Sequence, residues 1–242
     1  MSLCNELRQP LTKFELYTKS YNWETWHSLS RLGADAIKAA NHNFLIFLSG
    51  IDSSTNFSVV AQGLPLTPGT VIFSPASFGS YADKLVIEMH SYDPAPDCTA
   101  FGKKLFNLGF QTLDASAKNI LPLVMTEFGF QQSNQTYKNV YATCLEKFLP
   151  VQRVGWMVWV LSGGYYVRER AQDYDETWGL LTHDWSGWRE PGYVEEALRP
   201  MVNASLEVKT AVMDSAASMG GVGGATLVCW LVVMVFVGMA VQ

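Results

Sequence analysis

Four short, mainly apolar runs punctuate the chain. Phe44–Gly50, Lys84–His90, Leu121–Glu127 and Arg153–Val160 are each followed by glycine or polar residues, and they predict buried strands. Met1–Glu6 predicts a fifth strand, cut short at its start. Between these runs the apolar positions take a helical spacing. Trp23–Ala40 puts Trp26, Leu29, Ala36, Ile37 and Ala40 near one face, and 101–118 and 137–148 follow a similar pattern. Buried strands alternating with helices predict an α/β chain whose parallel sheet is covered by helices. No internal repeat is visible beyond this βα period.

The C-terminal pattern is different. Residues 222–241 carry no charge, and 225–240 are long enough to cross a hydrocarbon core as a helix. No Lys or Arg flanks this stretch, as a lasting span usually requires. Upstream lie the small residues of Asp214–Ser218 and a Gly-rich spacer. Small residues, spacer and apolar tail match a glycosylphosphatidylinositol attachment signal, with Ser215 as the expected attachment residue. A tail-anchored transmembrane helix is the alternative. The expected organisation is a folded region at 1–205, a spacer at 206–224 and a hydrophobic tail at 225–242.

Three glycosylation sequons, at Asn56, Asn134 and Asn203, agree with a cell-surface or secreted location. In that compartment Cys98 and Cys144 can form a disulfide, with Cys4 left over and Cys229 leaving with the tail; free core thiols are the alternative. Met1–Pro10 is not a leader peptide, so the two ends disagree about compartment. An internal Met1, with the true start upstream, reconciles them.

Composition narrows the function. The chain has 242 residues, 48% hydrophobic, enough for a sizeable core, and a net charge of -5 with no basic patch, which sets nucleic-acid binding aside. Eight Trp, ten Tyr and thirteen Phe favour a surface that stacks flat ligands. No metal-ligand spacing or phosphate-binding glycine loop appears, so neither a metal nor a cofactor is expected.

Glu6, His90 and Glu127 fall at or just past predicted strand ends, with Trp159 near another, on the edge where parallel α/β folds build their sites. Two carboxyl groups on such an edge suit glycosidic bond cleavage, one as proton donor and one as nucleophile. His90 and Tyr92 can hold the nucleophile ionised by hydrogen bonds, Asn5 can bond a sugar hydroxyl and Trp159 can stack on a sugar face. Trp178, Trp185 and Trp188 either line sugar subsites or pack under a loop. Asp93–Pro96 predicts a turn, and His183–Asp184 lacks a nucleophile in register.

Asn5–Glu6, His90–Tyr92, Thr126–Gly129 and the aromatic strand with Trp159 occur in an order that resembles glycoside hydrolase family 5. This is the cellulase-like family of retaining (β/α)8 barrels. Leu45–Gly50, Met157–Val160 and Asp173–Leu181 resemble its fungal members, and the resemblance covers roughly Ser2 to Pro200. It implies that Glu6 ends the fourth strand as acid/base, and that His90 and Tyr92 follow the sixth. It also implies that Glu127 is the nucleophile after the seventh strand and Trp159 the aromatic of the eighth. The family's first three strands, with an Arg and a His of the site, have no counterpart here. The expected fold is therefore the last five βα units of the barrel plus a C-terminal hydrophobic helix. The implied activity is retaining hydrolysis of a β-linked oligo- or polysaccharide, with the membrane as second partner. A catalytically impaired, carbohydrate-binding remnant is the alternative.

Overall fold

The computed structural model describes residues 1–10 and 19–207. They form two compact units, one of Met1–Ser91 and Lys103–Thr126, the other of Tyr92–Gly102 and the residues from Glu127 on.

In the first unit, helix α1 (Trp23–Ala40) starts where Asn22 caps it, its side chain accepting from the Thr25 amide at 2.8 Å. Its buried face is Trp23, Trp26, His27, Ser30 and Ala34. Leu29 is instead 60% exposed, and Ala36 and Ala40 also face water. The expected face is therefore wrong by part of a turn. His27 can go inside because its Nε2 lies 2.9 Å from the Ser77 hydroxyl, a partner fifty residues away. Trp26 donates its indole N–H to the Ser49 carbonyl at 2.8 Å and packs edge-on against Phe57.

Strands β1 (Ile46–Ser49) and β2 (Leu85–Ser91) pair in parallel, from Ile46 opposite Leu85 to Ser49 opposite Glu88. Every residue of β2 is buried, as expected for a strand covered on both faces. The strand expected at Met1–Glu6 shrinks to one parallel bridge, Ser2 to Phe47, because the chain bends at Leu3 and Asn5. Strand β3 (Leu123–Phe128) runs beside β2 and begins only after Pro122, which has no N–H for a ladder but whose carbonyl accepts from Ile87 at 2.8 Å.

Helix α2 (Cys98–Leu108) is shorter than the helix expected over 101–118. It stops at Gly109, where a Cβ would run into the Met89 sulfur of β2. A single 3-10 turn and an Asp114–Ser116 turn follow, the Ser116 amide donating to Asp114 at 2.8 Å.

In the second unit, Cys98 and Cys144 form a disulfide, with Cα atoms 4.9 Å apart. This joins the start of α2 to helix α3 (Val140–Gln152), which Asn139 caps. The cap moves the helix start three residues past the expected Tyr137, which sits in its own 3-10 turn. Phe101 packs edge-on against Tyr141 and Phe148. The run expected as a strand over 153–160 yields only β4 (Gly155–Trp156), beside the end of β3, because Arg153 turns with a left-handed φ of 56°. An antiparallel hairpin then follows, β5 (Gly164–Arg168) with β6 (Ala171–Asp175). It was not expected, because Glu169 and Arg170 make its turn with φ of 53° and 68° where such turns usually show Gly or Asn. The final described segment is helical, with Pro191 in its first turn and Tyr193, Val194, Ala197 and Met201 buried.

Among the described residues, no helix is long and apolar enough to cross a membrane. The tail at 225–242 and Ser215 lie outside the described residues.

Three buried polar atoms of the second unit, Gln132 Oε1, Glu146 Oε1 and the Tyr193 hydroxyl, lack a hydrogen-bond partner among the described residues. Burial pushes the Glu146 carboxyl up to about 7, against the pull of Lys147. It also pushes the Tyr193 phenol up, with help from Glu146 and Tyr141. The native protein thus holds a proton that the unfolded chain has lost between pH 4.5 and about 7. Stability is full below pH 4.5 and falls as pH rises through about 7. Glu146→Gln is expected to remove that slope. At pH 8 it should gain on the order of 1–2 kcal/mol, less than the full shift because the carboxyl keeps some access to water. Urea titrations of both proteins across pH 4–8 check this, and parallel curves would refute it.

Candidate active site

The first unit builds its polar cluster at the end of β2. His90 is buried, with Nδ1 3.1 Å from Glu6 Oε1 and Nε2 3.7 Å from Glu88 Oε1. The Arg8 guanidinium, 71% exposed, pairs with the other Glu6 oxygen. Burial pushes the Glu6 carboxyl up, but the hydrogen bonds and charges of Arg8 and His90 outweigh it and hold the group below its ordinary range. Burial drives Glu88 the other way, above the usual carboxylate range, despite a Ser2 hydrogen bond. Asn5 is exposed, one residue before Glu6.

The backbone around Glu6 is fixed from the end of β1. Glu6 itself has φ 43°, and Asp52, Ser53 and Ser54 form a run of three left-handed non-glycine residues. Such a run persists only where its surroundings impose it, and it favours functional edges. Here it lets the Ser53 amide donate to the Leu7 carbonyl at 2.9 Å. The Tyr21 hydroxyl lies 3.1 Å from the same carbonyl and 3.2 Å from Asp52 Oδ1.

In the second unit the Tyr92 hydroxyl donates to Glu127 Oε2 at 2.8 Å. Glu127 is half-buried at the end of β3. Trp159 is anchored to the same strand, its amide donating to the Phe128 carbonyl at 2.7 Å. Gly129, two residues past Glu127, is needed there, because a Cβ would strike the Trp159 carbonyl. The Trp159–Val160 peptide bond is cis. The Tyr92 ring lies 6.0 Å from that of Trp178. Within the first unit His90, expected beside the nucleophile, meets Glu6 and Glu88 instead, and within the second Tyr92 meets Glu127 as expected.

Sequence reasoning missed Arg168 and Glu176. The Arg168 guanidinium lies over the rings of Trp159, Tyr165 and Tyr174, 5.0–5.7 Å from their centroids, and pairs with Glu176. The visible signal was the acidic pair Asp175–Glu176 between Tyr174 and Trp178, which lay off the predicted strand ends. Trp178, Trp185 and Trp188 all stay substantially exposed, so packing under a loop does not account for them. Asp93–Pro96 closes no turn and bends only at Pro96, where two prolines restrict the φ angles. Asp184 is a turn acceptor for Thr182 and Ser186, which hold it down to about 2, and His183 lies 3.0 Å from Asp173.

The sequons differ in access. The Asn56 side chain is engaged with Asp52 and Ser58. Asn134 and Asn203 are exposed.

Comparison with known proteins places this geometry in context. The family described as Cellulase (glycosyl hydrolase family 5) matches residues 1–164. A glycosyl hydrolase 5 family protein from Chamaecyparis obtusa is 31% identical over 208 residues, 80% of this chain and 34% of that protein. A β-glucanase from Saccharophagus degradans superposes with a TM-score of 0.52 at 16% identity, covering 84% of this chain and 53% of the glucanase. A β-mannanase from Streptomyces thermolilacinus gives 0.44 at 17% identity, covering 70% and 48%. At such identity the likeness to the glucanase shows the fold alone, an α/β chain of the (β/α)8 barrel class. The chain spans about a third of the length of the curated relative and about half of that of the glucanase.

Proposed function

Since the chain belongs to glycoside hydrolase family 5, we propose that it hydrolyses β-linked glycans with retention of anomeric configuration. Glu127 attacks the anomeric carbon while Glu6 protonates the leaving oxygen. A glycosyl-enzyme forms, and Glu6 then acts as base for the water that releases it. The observation that carries this reading is the Tyr92 hydroxyl donating to Glu127 at 2.8 Å. A phenol donating to a carboxylate favours its ionised form, which a nucleophile needs, and fixes which oxygen points away. Trp159 supplies a sugar-stacking wall, and Asn5 a partner for a sugar hydroxyl.

Glu6 needs a proton for the first step, yet Arg8 and His90 favour its ionised form. On this reading the solvent-facing Arg8 releases Glu6 when substrate arrives. That same pairing favours the second reading, a protein that binds β-glycan without cleaving it. The experiment that decides is proton NMR of β-glucan oligosaccharides mixed with the protein, alongside calorimetric binding. A β-anomer appearing first supports retention. An α-anomer appearing first would overturn the mechanism, and binding with no cleavage would leave the second reading.

A further inference from the structure

The second unit buries a carboxylate that the glycosidase reading does not use. Glu176 is 3% exposed, and a buried carboxylate is costly unless it is fully partnered. Both of its oxygens are committed. Oε2 pairs with Arg168, and Oε1 accepts from the Trp178 amide at 3.2 Å.

Each partner leads toward the site. Arg168 lies 5.7 Å from the Trp159 ring centre, 5.0 Å from Tyr165 and 5.6 Å from Tyr174. A planar guanidinium among three rings fixes their planes as a compact ammonium does not. Trp178 carries the other branch. Its ring is 6.0 Å from Tyr92, whose hydroxyl holds Glu127. One carboxylate thus braces both the stacking wall and the nucleophile's hydrogen-bond donor.

We infer that Arg168 and Glu176 are positioning residues: Arg168 sets the plane of Trp159, and Glu176 holds Arg168 on one side and the Trp178–Tyr92–Glu127 chain on the other. Neither touches the reacting atoms. Their effect is geometric, and small misplacements of groups around a reacting centre are costly.

The inference rests on the roles proposed above for Trp159 and Glu127, so its test has one arm that needs no catalysis. Tryptophans of the full chain are oxidised with N-bromosuccinimide and the products mapped by peptide mass. Arg168→Ala and Arg168→Lys are each expected to speed oxidation of Trp159 about fivefold, the scale of one lost ring–cation contact. Trp23 and Trp26, buried in the other unit, serve as folding controls and should not change. An unchanged Trp159 rate in Arg168→Lys, or equal gains at Trp23 and Trp26, would overturn the inference.

The second arm is kinetic, on β-glucan oligosaccharides. Arg168→Lys should raise KM about tenfold and leave kcat within about twofold, since it loosens binding alone. Glu176→Gln keeps an acceptor for the Trp178 amide and should behave the same way. Glu176→Ala loses both partners and should also lower kcat about tenfold. Glu176→Gln lowering kcat as far as Glu176→Ala would refute the two-branched role. If the unaltered chain cleaves nothing, the glycosidase reading fails and the oxidation rates alone decide the fate of this inference.

Discussion

Glu127→Gln is expected to lower kcat on a β-linked glycan by about 10³-fold or more, with glycan binding changed by no more than a few-fold. The amide has nearly the same shape and keeps an oxygen to accept from Tyr92, so the bond that holds the site together survives. What it loses is the ability to attack the anomeric carbon. Glu6→Gln should instead cost about 10²–10⁴-fold on natural substrates and far less on aryl glycosides, whose leaving groups need no proton. Arg8→Ala supplies the sign. Removing the guanidinium lets burial raise the Glu6 carboxyl, so the protonated acid persists to higher pH and the basic limb of kcat/KM moves upward. Steady-state kinetics across pH check all three variants. Full activity in Glu127→Gln would remove it from the mechanism, and a basic limb moving down in Arg8→Ala would remove Glu6 as the acid.

Replacing both Cys98 and Cys144 by Ser should cost about 4 kcal/mol of stability, the loop-closure entropy expected for this separation. The bond ties positions 46 residues apart, and the segment between them contains β3 and Glu127. At this chain length the loss corresponds to a Tm lower by about 10 °C. The measurement is a reversible thermal melt of the double variant beside the oxidised parent. A difference under about 2 °C would mean that Phe101 against Tyr141 and Phe148 already holds the two helices in place without the bond.

Several elements were legible because their physics is local. β2 and β3 are short, mainly apolar runs, as strands covered on both faces must be. The extent of α1 was legible too, but its orientation was not. Ser77 is what makes room inside for His27, and nothing near residue 27 announces it. The hairpin was hidden by a turn of Glu169 and Arg170, residues that ordinarily avoid that conformation. The site divides in the same way. Glu6, His90, Tyr92, Glu127 and Trp159 were visible as polar or aromatic residues at strand ends. Arg168 and Glu176 were not, because this charge pair is indistinguishable in sequence from a solvated one until folding buries its carboxylate.

Hairpin tips are where lineages usually record their insertions and deletions, since length there costs little. This hairpin should be an exception. Arg168 is the last residue of β5, adjacent to the two-residue turn, and its guanidinium reaches back over Trp159. An added residue would shift the strand register and turn Arg168 to the opposite face of the ribbon. Peptide tags and loop grafts therefore belong at exposed positions such as Asn134 and not at the tip of this ribbon.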